Sequence, residues 1–121
     1  MSNFVKDVQI FMNAAGHTID QNNLKQSELY KRLIDEEYSE FLEAWNNKDD
    51  TEQLDACFDM IWVIIGFILS RGWDANSSWN EGALSNLRKI DKESGKLLKR
   101  ADGKVLKPEG WQPPDFGKFV K

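Results

Sequence analysis

Cysteine and histidine are almost absent, with Cys57 and His17 each the single example of its kind. A lone cysteine forms no internal disulfide, and the apolar neighbours of Cys57 suit a small buried core residue. A lone histidine excludes His-rich zinc sites and the paired Glu-x-x-His ligands of di-iron bundles, so any metal here is held by oxygen. Proline occurs only at Pro108, Pro113 and Pro114, which leaves the rest of the chain free of that helix breaker. The longest apolar run, Ala56 to Leu69, falls short of the ~20 residues that cross a bilayer and contains Asp59. No basic-then-apolar signal pattern marks the start. Repeats and low-complexity segments are missing, and a net charge of −4 argues against general nucleic-acid binding. A soluble, cytoplasmic protein with no membrane or nucleic-acid partner is expected.

What is present is helical periodicity. At 121 residues the chain is expected to form one domain, 1–121. Phe4, Val8, Phe11 and Met12 predict a first helix ending near Ala15-Gly16. A polar loop follows. Ser27 is a fair N-cap for a second helix, patterned by Leu29, Leu33, Phe41 and Ala44 and running to about Asn46. Asp50 or Thr51 is expected to cap a third, which continues to Arg71-Gly72. Ala75 to Asp91 predicts a fourth, with Trp79, Ala83, Leu84 and Leu87 along one side. After Asp91 the helix signals stop, and Asp102-Gly103 suits a small hairpin. The expected architecture is all-α, a helical core of about 3–91 followed by an irregular arm of about 92–121. Its third helix is apolar on every side rather than along one stripe, which requires a homodimer or homotetramer to cover it.

Charge is unevenly spread. Arg88, Lys89, Lys92, Lys96, Lys99, Arg100, Lys104 and Lys107 face only Asp91, Glu93 and Asp102 over the same stretch, so a basic segment follows an acidic one. The simplest use of such a segment is a solvated tail; the alternative is an anionic ligand whose phosphates meet the lysines.

The acids carry the chemistry. Glu36, Glu37 and Glu40 share a face of the second helix, and Glu52, Asp55 and Asp59 follow at spacings of three and four on the third. Exposed acidic runs like the first set are common on solvated faces. Asp55 and Asp59 are more informative, because a carboxylate within an apolar run needs hydrogen bonds or a cation. Antiparallel packing is expected to bring four to six carboxyl groups together, and hard divalent cations, Mg²⁺ or Mn²⁺, would offset their repulsion. Octahedral Mg²⁺ leaves positions for substrate phosphates.

Four blocks in order now become recognisable: Leu33-Ile34-Asp35-Glu36-Glu37-Tyr38-Ser39-Glu40-Phe41, Glu52-Gln53-Leu54-Asp55-Ala56-Cys57-Phe58-Asp59, Ser85-Asn86-Leu87-Arg88-Lys89, and Asp102 to Pro108 with Pro113-Pro114-Asp115. Together they resemble the MazG-like all-α nucleotide pyrophosphohydrolases, in the phosphoribosyl-ATP-pyrophosphohydrolase-like branch, from about Phe4 to Phe116. The resemblance implies a four-helix MazG-like bundle and Mg²⁺-dependent hydrolysis of a nucleoside triphosphate to monophosphate and pyrophosphate. Its Glu-x-x-Glu falls on Glu37 and Glu40. Its second acidic motif falls either on Glu52 and Asp55 or, one turn later, on Asp59, so all three stay candidate metal ligands. The Asn and Lys that approach phosphate or sugar fall on Asn86 and Lys89.

Chemistry fills in further roles. Glu36 is the candidate to orient or deprotonate a water, and Lys89, Lys104 and Lys107 suit charge on departing pyrophosphate. Trp111 is carried as a substrate contact able to stack on a base; Phe4, Phe11 and Trp79 share that ability, although core or interface burial is the simpler use of each. Gln9 and Asn13 could read a base edge. The basic arm is expected to close over a site shared between subunits. Two alternatives remain: a narrower enzyme for dUTP or phosphoribosyl-ATP, and a non-catalytic helical binding protein that uses metal structurally.

Overall fold

A computed structural model describes residues 3–120, which divide into two compact units, 3–75 and 76–120. The division falls at the start of the fourth helix.

The first unit holds α1 (Phe4–Ala14), α2 (Leu24–Asn46) and α3 (Asp50–Ser70). Each helix opens on a side-chain cap: Asn3 accepts from the Lys6 N–H, Asn23 from Gln26, and Asp49 from Glu52. Such caps satisfy amides that a helix start otherwise leaves without partners. Both long helices therefore begin earlier than their spacing predicts. Ser27 is not the cap of α2 but lies in its first turn, buried, with its hydroxyl donating to the Asn23 carbonyl at 2.7 Å. Asp49, rather than Asp50 or Thr51, caps α3.

α2 and α3 run antiparallel, joined by a turn in which Lys48 adopts φ 54°. At one end Gln53 reaches the Ala44 carbonyl at 3.4 Å. At the other, the amide of Gln26 bonds the Thr18 carbonyl and the Ser70 hydroxyl, both at 2.7 Å, and the Asn23 N–H donates to the Ser70 carbonyl at 2.8 Å. Between them Tyr30, 2 % exposed, lies against Gly66. A Cβ at Gly66 would overlap the Tyr30 ring, so glycine is what lets the helices approach there. α1 packs on α3, with Phe11 edge-on to Trp62 at 5.4 Å. Val8, Met12, Tyr30, Val63, Leu69 and Ala75 form the buried core.

α3 remains largely open. Leu54 is 73 % exposed and Phe58, Ile61 and Ile64 are also exposed, as expected of a helix apolar all round. Its 21 residues, Asp50–Ser70, agree with the expected span to within a residue or two; the helix extends N-terminally beyond the apolar run, and by length and composition alone it is long enough to cross a membrane, a test that the core helix of a soluble protein also passes. Cys57 is half-buried rather than fully so, because the ~100° step after buried Ala56 turns it from the same contact. Phe4, Phe11 and Trp79 are exposed in the single chain, so of the core or interface burial expected for them the core half does not hold.

In the second unit, α4 (Ala75–Leu87) stops short of the expected Asp91. Lys89 and Ile90 donate their N–H groups to the Asn86 and Leu87 carbonyls, tightening the end into turns. The expected hairpin exists in reduced form: Lys99 and Val105 make an isolated antiparallel bridge around Asp102-Gly103, where Gly103 has φ 89°. A second bridge joins Ile90 and Leu97, and a 3-10 turn spans Phe116–Phe119. Among the described residues no strand forms, and the architecture is all-α with four helices.

Candidate functional site: three acids on two helices

Antiparallel pairing of α2 and α3 brings Glu37, Glu40 and Asp59 together. Each offers a carboxylate oxygen within 4.8 Å of the others. Glu37 and Asp59 are half-buried and Glu40 is exposed. Among the described residues the salt bridges are Lys31–Asp35, Arg100–Asp102 and Lys118–Glu81, so no cationic side chain pairs with this cluster. Oε2 of Glu37 is buried with no hydrogen-bond partner. A buried carboxylate oxygen without a partner is costly.

Protonation reflects that cost. Burial, hydrogen bonding with Glu40 and the charges of Asp59, Glu40 and Glu36 push the Glu37 carboxyl up to about 7. Asp59 is also raised, first by burial, then by the charges of Asp55 and Glu40, against a hydrogen bond with Glu37 that lowers it. Three oxygens from three carboxyl groups, converging without a cation, form a donor set suited to a hard divalent ion.

The other sequence candidates lie around this trio. Asp55, exposed one turn before Asp59, acts on it through charge but stands outside the group of three. Exposed Glu36 likewise influences Glu37 through charge. Glu52 is exposed in the first turn of α3, where its N–H meets the Asp49 cap at 3.1 Å. Of the expected four to six acids, three converge among the described residues.

Asn86, Lys89, Lys107 and Trp111 gather in the second unit. Lys89 Nζ donates to Asn86 Oδ1 at 3.1 Å. The ammonium groups of Lys89 and Lys107 lie 5.0 and 5.1 Å from the Trp111 ring centroid. Lys104 is not among them; it sits in the exposed turn, its N–H bonded to Asp102 Oδ1 at 3.1 Å. Two participants escape sequence reasoning. The Ser85 carbonyl accepts from Trp111 Nε1 at 2.8 Å. Glu81 accepts from the Asp115 N–H and pairs with Lys118, contacts that hold its carboxyl below the usual range. Only the Ser85-Asn86 motif hinted at the first, and nothing in spacing pointed to the second.

A helical fold with this acidic constellation defines a MazG-like all-α nucleotide pyrophosphohydrolase. The sequence model of the phosphoribosyl-ATP pyrophosphohydrolase family matches residues 10–86, well over half of the chain, and the protein belongs to that family. The match contains all the candidate acids and Asn86; Lys89, Lys107 and Trp111 lie beyond it. A comparison with curated proteins finds no match.

Proposed function

We propose that the protein hydrolyses nucleoside triphosphates, deoxynucleoside triphosphates among them, between the α and β phosphates. Water attacks the α phosphorus, the bond to the bridging oxygen breaks, and monophosphate, pyrophosphate and a proton result. The observation that carries this reading is the convergence of Glu37, Glu40 and Asp59, with Oε2 of half-buried Glu37 left without a hydrogen-bond partner. Those three would hold Mg²⁺, or Mn²⁺ in its place, with Asp55 and Glu52 as further candidates. When bound, the ion supplies neutralisation of phosphate charge and a water of lowered pKa. Glu36 orients or deprotonates the water, as an exposed carboxylate beside Glu37 can. Asn86, Lys89 and Lys107 suit phosphoryl oxygens through hydrogen bonds and charge. Lys104 and a base-stacking Trp111 are weaker members of that set, given where the chain places them.

The family description favours a second reading, phosphoribosyl-ATP as the substrate. Both substrates present a triphosphate, so the acids alone do not choose between them. In either reading we take the protein as a cytoplasmic homo-oligomer, since a second copy would cover exposed Leu54, Phe58 and Ile61 on α3. The test is incubation with Mg²⁺ and a panel of ribo- and deoxyribonucleoside triphosphates plus phosphoribosyl-ATP, with products resolved by ion exchange. Monophosphate and pyrophosphate from several triphosphates, reduced at least ~100-fold in Asp59→Asn, are expected. Cleavage of phosphoribosyl-ATP alone would select the second reading, and diphosphate with phosphate would overturn both.

A further inference from the structure

The end of α4 is closed by an unusual partner. Its last four carbonyls all find donors: Leu84 accepts from Arg88 N–H, Asn86 from Lys89 and Leu87 from Ile90, while Ser85 accepts from the indole of Trp111. Trp111 is thus anchored by its N–H to the helix end, and a turn closed by its own backbone N–H on the Pro108 carbonyl at 3.1 Å steadies it from behind. That anchoring leaves the ring as a fixed surface.

Two ammonium groups use it. Lys89 and Lys107 come from opposite sides of the sequence gap between α4 and the Pro108 turn, yet both lie about 5 Å from the ring centroid. A cation at that distance is attracted by the quadrupole of an indole, the best of the aromatic rings for this. Neither lysine makes a salt bridge among the described residues. Their charges are gathered and oriented, but not neutralised. Two such charges with the Asn86 amide beside them suit the oxygens of a phosphoryl group.

We propose that Trp111 is a positioning residue that holds Lys89 and Lys107 over its ring, giving the second unit a phosphoryl-anion site that works without metal. The site deepens the phosphoryl reading above, and it replaces base stacking as the role of Trp111: the ring is engaged by cations. Trp111 itself makes no bond to the anion. Its effect runs through the two lysines.

The test uses the full chain stripped of metal with a chelator and titrated with inorganic pyrophosphate, following calorimetry and the Trp111 indole resonance. Wild-type protein is expected to bind, and Lys89→Ala or Lys107→Ala to weaken binding by roughly five- to tenfold. Trp111→Leu and Trp111→Phe both lose the indole N–H, but only phenylalanine keeps an aromatic face. Phenylalanine, which keeps an aromatic face but not the Ser85 anchor, should therefore retain more affinity than leucine, which should lose as much as a lysine variant. Equal affinities for the two, or a wild-type protein that ignores millimolar pyrophosphate, would overturn the proposal. So would a larger shift of the Trp111 indole with a nucleoside lacking phosphate, the signature of a stacking base. No turnover enters these readouts, so an inactive protein would leave a positive result standing, and an active one would not rescue a negative result.

Discussion

Glu37 is where burial and like charge act most strongly on one side chain. Its carboxyl is pushed up from 4.5 to about 7, so between those pH values the folded chain keeps a proton that the unfolded chain has released. Stability from this group is present in full below pH 4.5 and is lost as pH rises through about 7. Asp59, also raised, acts in the same direction. Glu81, Asp91 and Asp102 are lowered, so their effects fall at more acidic pH and leave the window clear. Metal-free protein should accordingly show a falling Tm between pH 5 and pH 8, and Glu37→Gln should flatten that fall. Identical slopes would mean that the acid cluster is solvated like an ordinary surface. Added Mg²⁺ should raise Tm more at pH 8 than at pH 5, because ligation requires the deprotonated acids. Glu36→Gln separates the role of its neighbour: turnover should fall while the Mg²⁺-induced rise in Tm persists, and unchanged turnover would remove Glu36 from the chemistry.

The α2–α3 pair is decided at Gly66. Helix propensity alone favours Gly66→Ala by about 1 kcal/mol. A methyl group there would overlap the ring of Tyr30, which is 2 % exposed and bonded through its hydroxyl to His17 Nδ1 at 3.0 Å. Overpacking at such a contact costs about 1–3 kcal/mol, so the net sign is destabilising and Tm should drop by several degrees. A higher Tm in Gly66→Ala would show that the ring yields freely. At the other end of the pair, Asp49→Ala removes the α3 cap and should cost about 1 kcal/mol in denaturant unfolding. Thr51→Ala should cost less, since the hydroxyl of Thr51 is not the cap. The two substitutions reverse in order if spacing, rather than geometry, locates the start of α3.

For the molecule as a whole, the open face of α3 sets the question of assembly. Leu54, Phe58 and Ile61 recur at helical spacing and remain exposed, and an apolar stripe of that kind is normally covered. Leu54→Glu should shift the protein from oligomer to monomer in light scattering; a wild-type protein already monomeric at tens of micromolar would refute coverage by a second copy. Periodicity alone determined the all-α class, the two long helices and the side of each on which the acids lie, because a 3.6-residue repeat is a local property of the chain. Local order could not say which acids meet. Spacing set Asp55 and Asp59 together as ligands with Glu52 a lesser third, and only the antiparallel register of α2 against α3 brought Asp59, rather than Asp55 or Glu52, within reach of Glu37 and Glu40. Trp111 shows the same division: its sequence marks a large aromatic in an irregular arm, whereas folding back onto Ser85 turns it into a platform for two lysines, a contact made across 26 residues that no periodicity encodes.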